Sequence, residues 1–119
     1  MEYLVIDGYN VINSWTDVFN LERDSMEECR EKFLEIISNF QGYRKLNIIV
    51  VFDAHMVKGS QEKQEYHDRV LVVFTRENET ADNYIERLVY KLGNTHTIRV
   101  VTSDYLEQTT VLRSGGVRV

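Results

Sequence analysis

The sequence lacks proline altogether, has a single cysteine and contains no long apolar run. A chain without proline has no proline-rich linker and no polyproline II ligand segment. The lone Cys29 excludes an internal disulfide framework and a zinc site built from several cysteines. No run approaches the roughly 18 apolar residues that span a bilayer, and the N-terminus has no basic signal region. We therefore expect a cytoplasmic protein without membrane contact.

An excess of positive charge is also missing, because 14 lysines and arginines face 19 acidic residues and leave a net charge of −5. Such a balance does not favour nucleic-acid binding through a basic surface. It does not exclude a nucleic-acid enzyme, because metal-binding carboxylates lower the net charge while their cations restore it locally. The 119 residues, with no repeat or linker among them, predict a single domain over 1–119.

Four short apolar runs, rich in β-branched residues, predict β-strands. They cover residues 3–6, 48–52, 70–74 and 98–101. Three of them are nearly continuous, as is typical of strands buried on both faces of a parallel sheet. Arg99 interrupts the fourth run, which is therefore predicted to lie nearer an edge of the sheet.

Helical patterns fill the gaps between these runs. Ser25 and Glu28 form a capping box before one apolar stripe, and Thr80 precedes another that ends at Gly93. The predicted helices cover residues 10–15, 26–40, 81–92 and 105–112. Strands that alternate with helices predict a three-layer α/β domain with a mainly parallel central sheet flanked by helices.

Residues 54–69 fit neither period, and we expect a loop there. A loop of this length in a compact domain is often functional. The segment carries Lys58, Lys63 and Arg69 beside Tyr66 and His67. A solvated excursion and a flap that contacts the substrate remain equal alternatives for it.

Aspartates follow three of the four apolar runs. Asp7 and Asp53 come directly after the first and second runs, and Asp104 follows the fourth after two polar residues. Because the carboxyl ends of parallel strands meet at one edge, these side chains would converge there if their strands are neighbours.

A further acidic group lies at the start of the second apolar helical stripe. Glu79, Asp82 and Glu86 are spaced to share one face of a helix. The helix dipole accounts for Glu79 and Asp82 near an N-terminus but not for Glu86. Together with the strand-end aspartates, this group favours a shared cation, since like charges at such spacing repel.

Hard cations such as Mg²⁺ or Mn²⁺ take carboxylate oxygens and can assist phosphodiester hydrolysis. The sequence has no GxxxxGK[ST] and no GxGxxG after the first run, which excludes the usual nucleotide-cofactor loops. No Ser-His-Asp arrangement is readable. Metal-assisted phosphoryl chemistry is therefore the favoured class, and a small-molecule phosphatase remains an alternative within it.

Four stretches then resemble a known family. IDGYN at 6–10 resembles the [VI]DGYN signature of NYN domains, a branch of the PIN-like nucleases. The stretches that resemble its YacP-like subfamily are FDAH at 52–55 with VKG at 57–59, FTRENETAD at 74–82 and TSDY at 102–105. The resemblance implies a PIN-like fold, Mg²⁺- or Mn²⁺-dependent endoribonuclease activity and ribosome-associated messenger RNA decay.

The resemblance also implies roles for individual residues. Asp7, Asp82 and Asp104 would bind the metal, with Asp53 on the rim of the site. Asn10 would position a ligand or a phosphate, although a plain role as a helix N-cap is an equal alternative. The remaining acidic candidates are Glu79 and Glu86.

Substrate contacts follow from residue type. Lys58, Lys63 and Arg69 would touch RNA phosphates, and Tyr66 would stack a base. His55 could protonate the leaving group or make only a structural hydrogen bond.

Family members usually continue with a charged helical stretch, which we expect to be absent here since the chain stops at Val119. A non-catalytic module that binds RNA or the ribosome is the other alternative.

Overall fold

Six strands form one sheet in the computed structural model, which describes residues 2–44, 46–93, 95–102 and 117–118. The strands are β1 (Glu2–Asp7), β2 (Asn47–Phe52), β3 (Lys63–His67), β4 (Val70–Phe74), β5 (Thr97–Val101) and β6 (Val117–Arg118). Their order is β3-β4-β2-β1-β5-β6, and every neighbouring pair is parallel except β3 and β4. The predicted mainly parallel sheet is confirmed.

Three helices among the described residues cover the two faces of the sheet. They are α1 (Gly8–Ser14), α2 (Met26–Arg44) and α3 (Ala81–Leu92). One core packs α1 and α2 against the sheet through Ile12, Phe33 and Phe52, and the other packs α3 through Ile85 and Val89. The three-layer architecture predicted from the alternation of strands and helices is therefore confirmed.

The direction of chain travel explains why α3 lies on its own face. The chain moves from β1 outward to β2 and β4, then returns to β5 on the far side of β1. Because crossovers between parallel strands are right-handed, the reversal of direction moves the connecting helix to the opposite face. Both faces of β1, β2 and β4 are thereby buried, which accounts for their nearly continuous apolar sequences.

The predicted helix caps are present. The Glu28 N–H donates to the Ser25 hydroxyl at 3.1 Å, and the Glu28 carboxylate accepts from the Ser25 N–H at 3.4 Å. Thr80 caps α3 by accepting from the Asn83 N–H at 3.3 Å. The predicted starts of both long helices are thus confirmed.

Two local predictions are wrong. Residues 54–69 are not a loop throughout, because Lys63–His67 forms β3, an edge strand antiparallel to β4. Most of its side chains are exposed, so no apolar alternation marked it in the sequence. The first helix begins at Gly8 rather than Asn10, since Asp7 supplies the cap.

Two further expectations concern Arg99 and the last predicted helix. Arg99 is in β5, which lies one strand in from the edge strand β6. Cys29 is buried against the sheet as a small apolar side chain. The helix predicted over 105–112 lies outside the described residues. Within the part of the chain that is described, no helix has the length and apolar character that a membrane span requires.

Candidate active site

The carboxyl end of β1 lies in the middle of the sheet, with β2 on one side and β5 on the other. In register, Asp7 pairs with Val51 of β2, and Ile6 pairs with Val101 of β5. The chain leaves β1 towards β2 and later returns to its other side, so β1 marks the topological switch point. In open parallel sheets, ligands bind in the crevice at such a point, outside the carboxyl ends of the strands.

Asp7 is the last residue of β1 and the N-cap of α1, and it is only 8% exposed. Its Oδ1 accepts a hydrogen bond from the Asn10 N–H at 3.4 Å. A carboxylate at a helix N-terminus is favoured by the dipole and by the unpaired N–H groups there. The fold therefore holds a nearly buried carboxylate at the switch point.

Asn10 links α1 to the end of β5. Its Oδ1 accepts a 3.0 Å hydrogen bond from the hydroxyl of Thr102, which is buried directly after β5. The alternative that Asn10 caps the helix is wrong, because Asp7 does so. The role of Thr102 was not predicted, because its only signal in the sequence is that of a polar residue directly after an apolar run.

Asp53 joins the end of β2 to the start of α3. Its Oδ2 accepts from the Ala81 N–H at 3.2 Å, and its Oδ1 accepts from the His55 N–H at 2.9 Å and contacts the His55 ring at Nδ1. Burial opposes ionisation of Asp53, but these hydrogen bonds together outweigh it and hold the pKa of the carboxyl below its usual value. Asp53 therefore fixes the position of α3.

Asp82 lies in the first turn of α3, one residue beyond Ala81. Its carboxylate is exposed and accepts a hydrogen bond from the Thr80 hydroxyl. Asp7, Asp53 and Asp82 thus lie at the same end of the sheet, and we call them the acid rim. Glu86 is exposed one turn further along the same helix, as the spacing predicts.

The loops that carry the acid rim are bound to each other. The Thr75 N–H donates to the Phe52 carbonyl at 3.1 Å, and the Ala54 N–H donates to the Thr75 hydroxyl at 2.8 Å. The Asn78 N–H donates to the His55 carbonyl at 2.9 Å. These hydrogen bonds make the connections after β2 and β4 a single framework.

Glu79 differs from its predicted position. It precedes the Thr80 cap, so it is not on α3, and it is 8% exposed. Arg87 donates to both of its carboxylate oxygens at 3.2 Å, and Arg76 lies 3.8 Å away. This pairing neutralises Glu79 within the protein. Arg87 also donates to Glu62 at 3.1 Å, so one guanidinium connects α3 to two loops.

Tyr84 lies beneath this ion-pair group. The guanidinium carbon of Arg87 is 5.0 Å from the centre of its ring. Burial raises the pKa of the Tyr84 hydroxyl, with a further contribution from the charge of Glu62. Tyr84 is therefore a neutral phenol packed against a cation.

The predicted substrate residues are divided between the two ends of the sheet. Lys58 is exposed in the turn after β2, and Lys63 starts β3 opposite Phe74, at the end that carries the acid rim. Tyr66 and Arg69 lie near the other end of β4, where Tyr66 pairs with Leu71. The structure does not bring these last two residues to the acid rim.

The acid rim has the donor chemistry that suits a hard divalent cation, since carboxylate oxygens are what Mg²⁺ and Mn²⁺ prefer. Among residues 2–44, 46–93 and 95–102, no group of three or more Asp, Glu, His or Cys side chains is close enough to hold a metal ion. Asp104, the third predicted ligand, lies outside the described residues.

A large cavity lies elsewhere in the molecule. It measures about 820 Å³ and lies between α2 and the sheet, with walls that include Leu4, Phe33 and Phe40. None of the predicted acidic residues lines it. The switch point, rather than this cavity, is therefore the candidate active site.

Comparisons with known proteins agree with this geometry. A family model described as the YacP-like NYN domain matches residues 4–119. The uncharacterized protein YacP of Bacillus subtilis (strain 168) is 46% identical over 119 residues, which cover 99% of this chain and 69% of that protein.

Two crystal structures of Rae1 (YacP) from Bacillus subtilis are also similar to the chain. A mutant form superposes with a TM-score of 0.82 at 40% identity, covering 99% of this chain and 69% of that one. The second has a TM-score of 0.81 at 43% identity, covering 100% of this chain and 68% of that one. The chain belongs to the YacP-like NYN domain family, a branch of the PIN-like nucleases.

Proposed function

We propose that the protein is a metal-dependent endoribonuclease that hydrolyses phosphodiester bonds of messenger RNA in the cytoplasm, at the ribosome. The observation that carries the proposal is the position of Asp7, a nearly buried carboxylate at the switch point of the sheet. Membership of a nuclease family supports the same reaction class.

Asp7, Asp82 and Asp104 would hold Mg²⁺ or Mn²⁺, which when bound supplies activation of a water molecule and neutralisation of the phosphodiester charge. Asp7 is oriented by the first turn of α1, and Asp82 by the start of α3. Asp53 fixes that start through the Ala81 N–H. Glu86, one turn from Asp82, is a reserve ligand in the proposal, whereas Glu79 is already engaged by Arg87.

Asn10 and His55 have positioning and proton-transfer roles in the proposal. The Thr102 hydroxyl orients the amide of Asn10, which places Asp7 or a substrate phosphate. Asp53 holds His55 through the ring Nδ1, so Nε2 is the atom able to protonate the departing 3′-oxygen. Water attacks phosphorus, the bond from phosphorus to the 3′-oxygen breaks, and the products carry 5′-phosphate and 3′-hydroxyl ends.

Lys58 and Lys63 would bind substrate phosphates beside the acid rim. Lys58 is exposed, and Lys63 lies at the same end of the sheet, 3.6 Å from Glu65. An exposed pair of this kind is weak, so a phosphate can displace the carboxylate. Two cations give little affinity by themselves, which fits an enzyme whose substrate is presented by the ribosome.

The test is cleavage of a translated reporter messenger RNA in Mg²⁺ or Mn²⁺, with and without ribosomes. Asp82→Asn is the test variant, and the matched control is Glu35→Gln, at an exposed acidic position of α2 outside the acid rim. We expect the wild type and Glu35→Gln to make cuts that EDTA and Asp82→Asn abolish.

Other outcomes would overturn the proposal. Binding of RNA or ribosomes that survives Asp82→Asn, with no cleavage in either metal, would establish a non-catalytic module. Hydrolysis of phosphomonoesters with indifference to RNA would establish a small-molecule phosphatase.

A further inference from the structure

A second recess lies at the opposite end of the sheet from the acid rim. It measures about 320 Å³ and is bounded by the last turns of α3 and the amino-terminal halves of β1, β2 and β4. Its apolar walls include Leu71, Leu88 and Leu92, with the rings of Tyr3 and Tyr66 beside them. We call it the lower groove. Its volume is within the range of small-ligand sites.

Two cations line the lower groove, Arg69 from the β3–β4 turn and Lys91 from the last turn of α3. Among the side chains that the structure describes, no carboxylate is within ion-pair distance of either. Asp68, next to Arg69 in sequence, instead accepts a hydrogen bond from Ser38 of α2. The lower groove is therefore a cationic site on a protein whose net charge is −5.

The β3–β4 turn that carries Arg69 is held firmly. Gln41, a buried residue of α2, donates from Nε2 to the Arg69 carbonyl at 3.3 Å and to the Leu46 carbonyl at 2.9 Å. Asp68 adopts a positive φ of 56° between the two strands. Because this backbone is ordered by the fold, a ligand that binds Arg69 does not have to order the loop.

Tyr66 is 73% exposed on the edge strand β3. A large aromatic ring left this open beside apolar walls is the platform on which a nucleic-acid base stacks. The guanidinium of Arg69 can meet a phosphate with two parallel N–H groups, and the Lys91 ammonium adds a point charge. An apolar floor, an open ring and two cations together match a nucleotide.

We propose that the lower groove binds a nucleotide of single-stranded RNA at a distance from the acid rim. The choice of RNA over other nucleotide ligands rests on the proposed function. The site itself follows from the charge and shape of the groove. The edge strand β3 joins the two regions, with Lys63 at the acid rim and Tyr66 at the groove. Along the strand the two residues are roughly 10 Å apart, at roughly 3.3 Å per residue, and their side chains lie on opposite faces of the sheet. A single strand of RNA that contacts both would therefore pass around the edge strand β3.

The test measures binding of a fluorescein-labelled ten-nucleotide single-stranded RNA by fluorescence anisotropy in EDTA. Without metal the RNA stays intact, so the result does not depend on cleavage. The variants are Tyr66→Ala and the pair Arg69→Gln with Lys91→Gln. Tyr90→Ala is the matched aromatic control, because Tyr90 is 78% exposed on the solvent side of α3 and does not line the lower groove. Arg23→Gln is the cation control, because Arg23 lies in the turn before α2, is paired with Asp24 at 3.2 Å and does not line the lower groove.

We expect Tyr66→Ala to weaken binding at least about fivefold, because stacking of one base contributes about 1–3 kcal/mol. The double cation variant should reduce the slope of log K against log salt by about 1.4, since each phosphate contact on a single strand contributes about 0.7. Both controls should bind as the wild type does. Thermal unfolding of every variant checks that the fold is intact.

Several results would overturn the lower groove as an RNA site. One is an equal loss of RNA affinity in Tyr66→Ala and Tyr90→Ala. Another is that every groove variant of an active enzyme keeps the wild-type affinity for RNA and the wild-type KM for RNA cleavage. Displacement of the RNA by AMP at equal concentration would assign the groove to a free nucleotide. If the groove variants lose affinity for RNA but the wild type cleaves nothing, the lower groove is an RNA-binding site and the nuclease proposal is wrong.

Discussion

A Cβ atom added at Gly8 would lie 2.3 Å from Cε1 of Phe52 and 2.6 Å from its Cδ1. The Phe52 ring is fully buried, 4.9 Å from the ring of Tyr9 and 5.4 Å from that of Phe74. It therefore has no space into which to withdraw. The missing side chain at position 8 lets the start of α1 lie directly on β2, immediately after Asp7.

Gly8→Ala should destabilise the protein by about 1–3 kcal/mol, because overpacking forces the buried ring or the helix to move. Activity should fall as well, since Asp7 is the adjacent residue. Gly42→Ala is the matched control, because nothing lies within 4 Å of a Cβ there and the position is helical. That substitution should stabilise by about 0.5–1 kcal/mol. Urea unfolding of both variants measures the difference, and equal effects would contradict the packing account.

Asp7→Asn separates the proposed metal-binding role of Asp7 from its capping role. Asparagine caps helices about as well as aspartate, so the free energy of unfolding should change by less than about 1 kcal/mol. Cleavage should fall at least about a hundredfold, because loss of a metal ligand removes several kcal/mol of transition-state stabilisation. The measurements are urea unfolding and the cleavage rate of purified protein. An active, stable Asp7→Asn protein would contradict the role proposed for Asp7.

The pairing of Glu79 with Arg87 predicts an asymmetry between two substitutions. Among the described residues, Arg87→Gln leaves the buried Glu79 carboxylate with only Arg76 at 3.8 Å, and should destabilise by about 1–3 kcal/mol. Glu79→Gln should cost less, because the half-exposed Arg87 can turn to water. Arg87→Lys should rescue only in part, since lysine lacks the two-pronged geometry. Urea unfolding tests this order, and a larger loss for Glu79→Gln would reverse the interpretation.

Asp53 predicts a contribution to stability that depends on pH. Hydrogen bonds from His55 and Ala81 hold its folded pKa below the usual 3.8, so the folded state favours the ionised carboxyl. The stabilisation is therefore complete above about pH 4 and is lost as the pH falls through the folded pKa. The difference in unfolding free energy between wild type and Asp53→Asn, measured by urea from pH 6 downward, should shrink below pH 4. A difference that stays constant with pH would contradict the pH-dependent contribution of Asp53.

Much of the fold could be predicted because many of its strands and helices are marked by patterns among neighbouring residues in the sequence. The apolar runs are long enough to identify β1, β2, β4 and β5, and the caps at Ser25 and Thr80 mark the helix starts. The polar strand β3 could not be found this way. Its exposed side chains carry no alternation, and it is a strand only because the backbone edge of β4 is available to it.

The candidate site could be predicted only in part. Asp7 and Asp53 were identifiable because each directly follows a buried run. The spacing of Glu79 from Asp82 and Glu86 predicted that Glu79 lies on a helix. In the structure it instead forms an ion pair with Arg87, eight residues later. Tyr66 and Arg69 are near Lys63 in sequence, yet the extended backbone of β3 carries them away from the acid rim.

The sequence by itself determined where each strand ends and which carboxylate follows it, because strand length and helix capping depend on neighbouring residues. Only the tertiary structure decided that β1 lies between β2 and β5, which puts Asp7 at the switch point. It also decided that Arg69 and Lys91 meet in one groove. The order of strands follows from which apolar faces the helices can bury together, and that depends on residues distant in the chain.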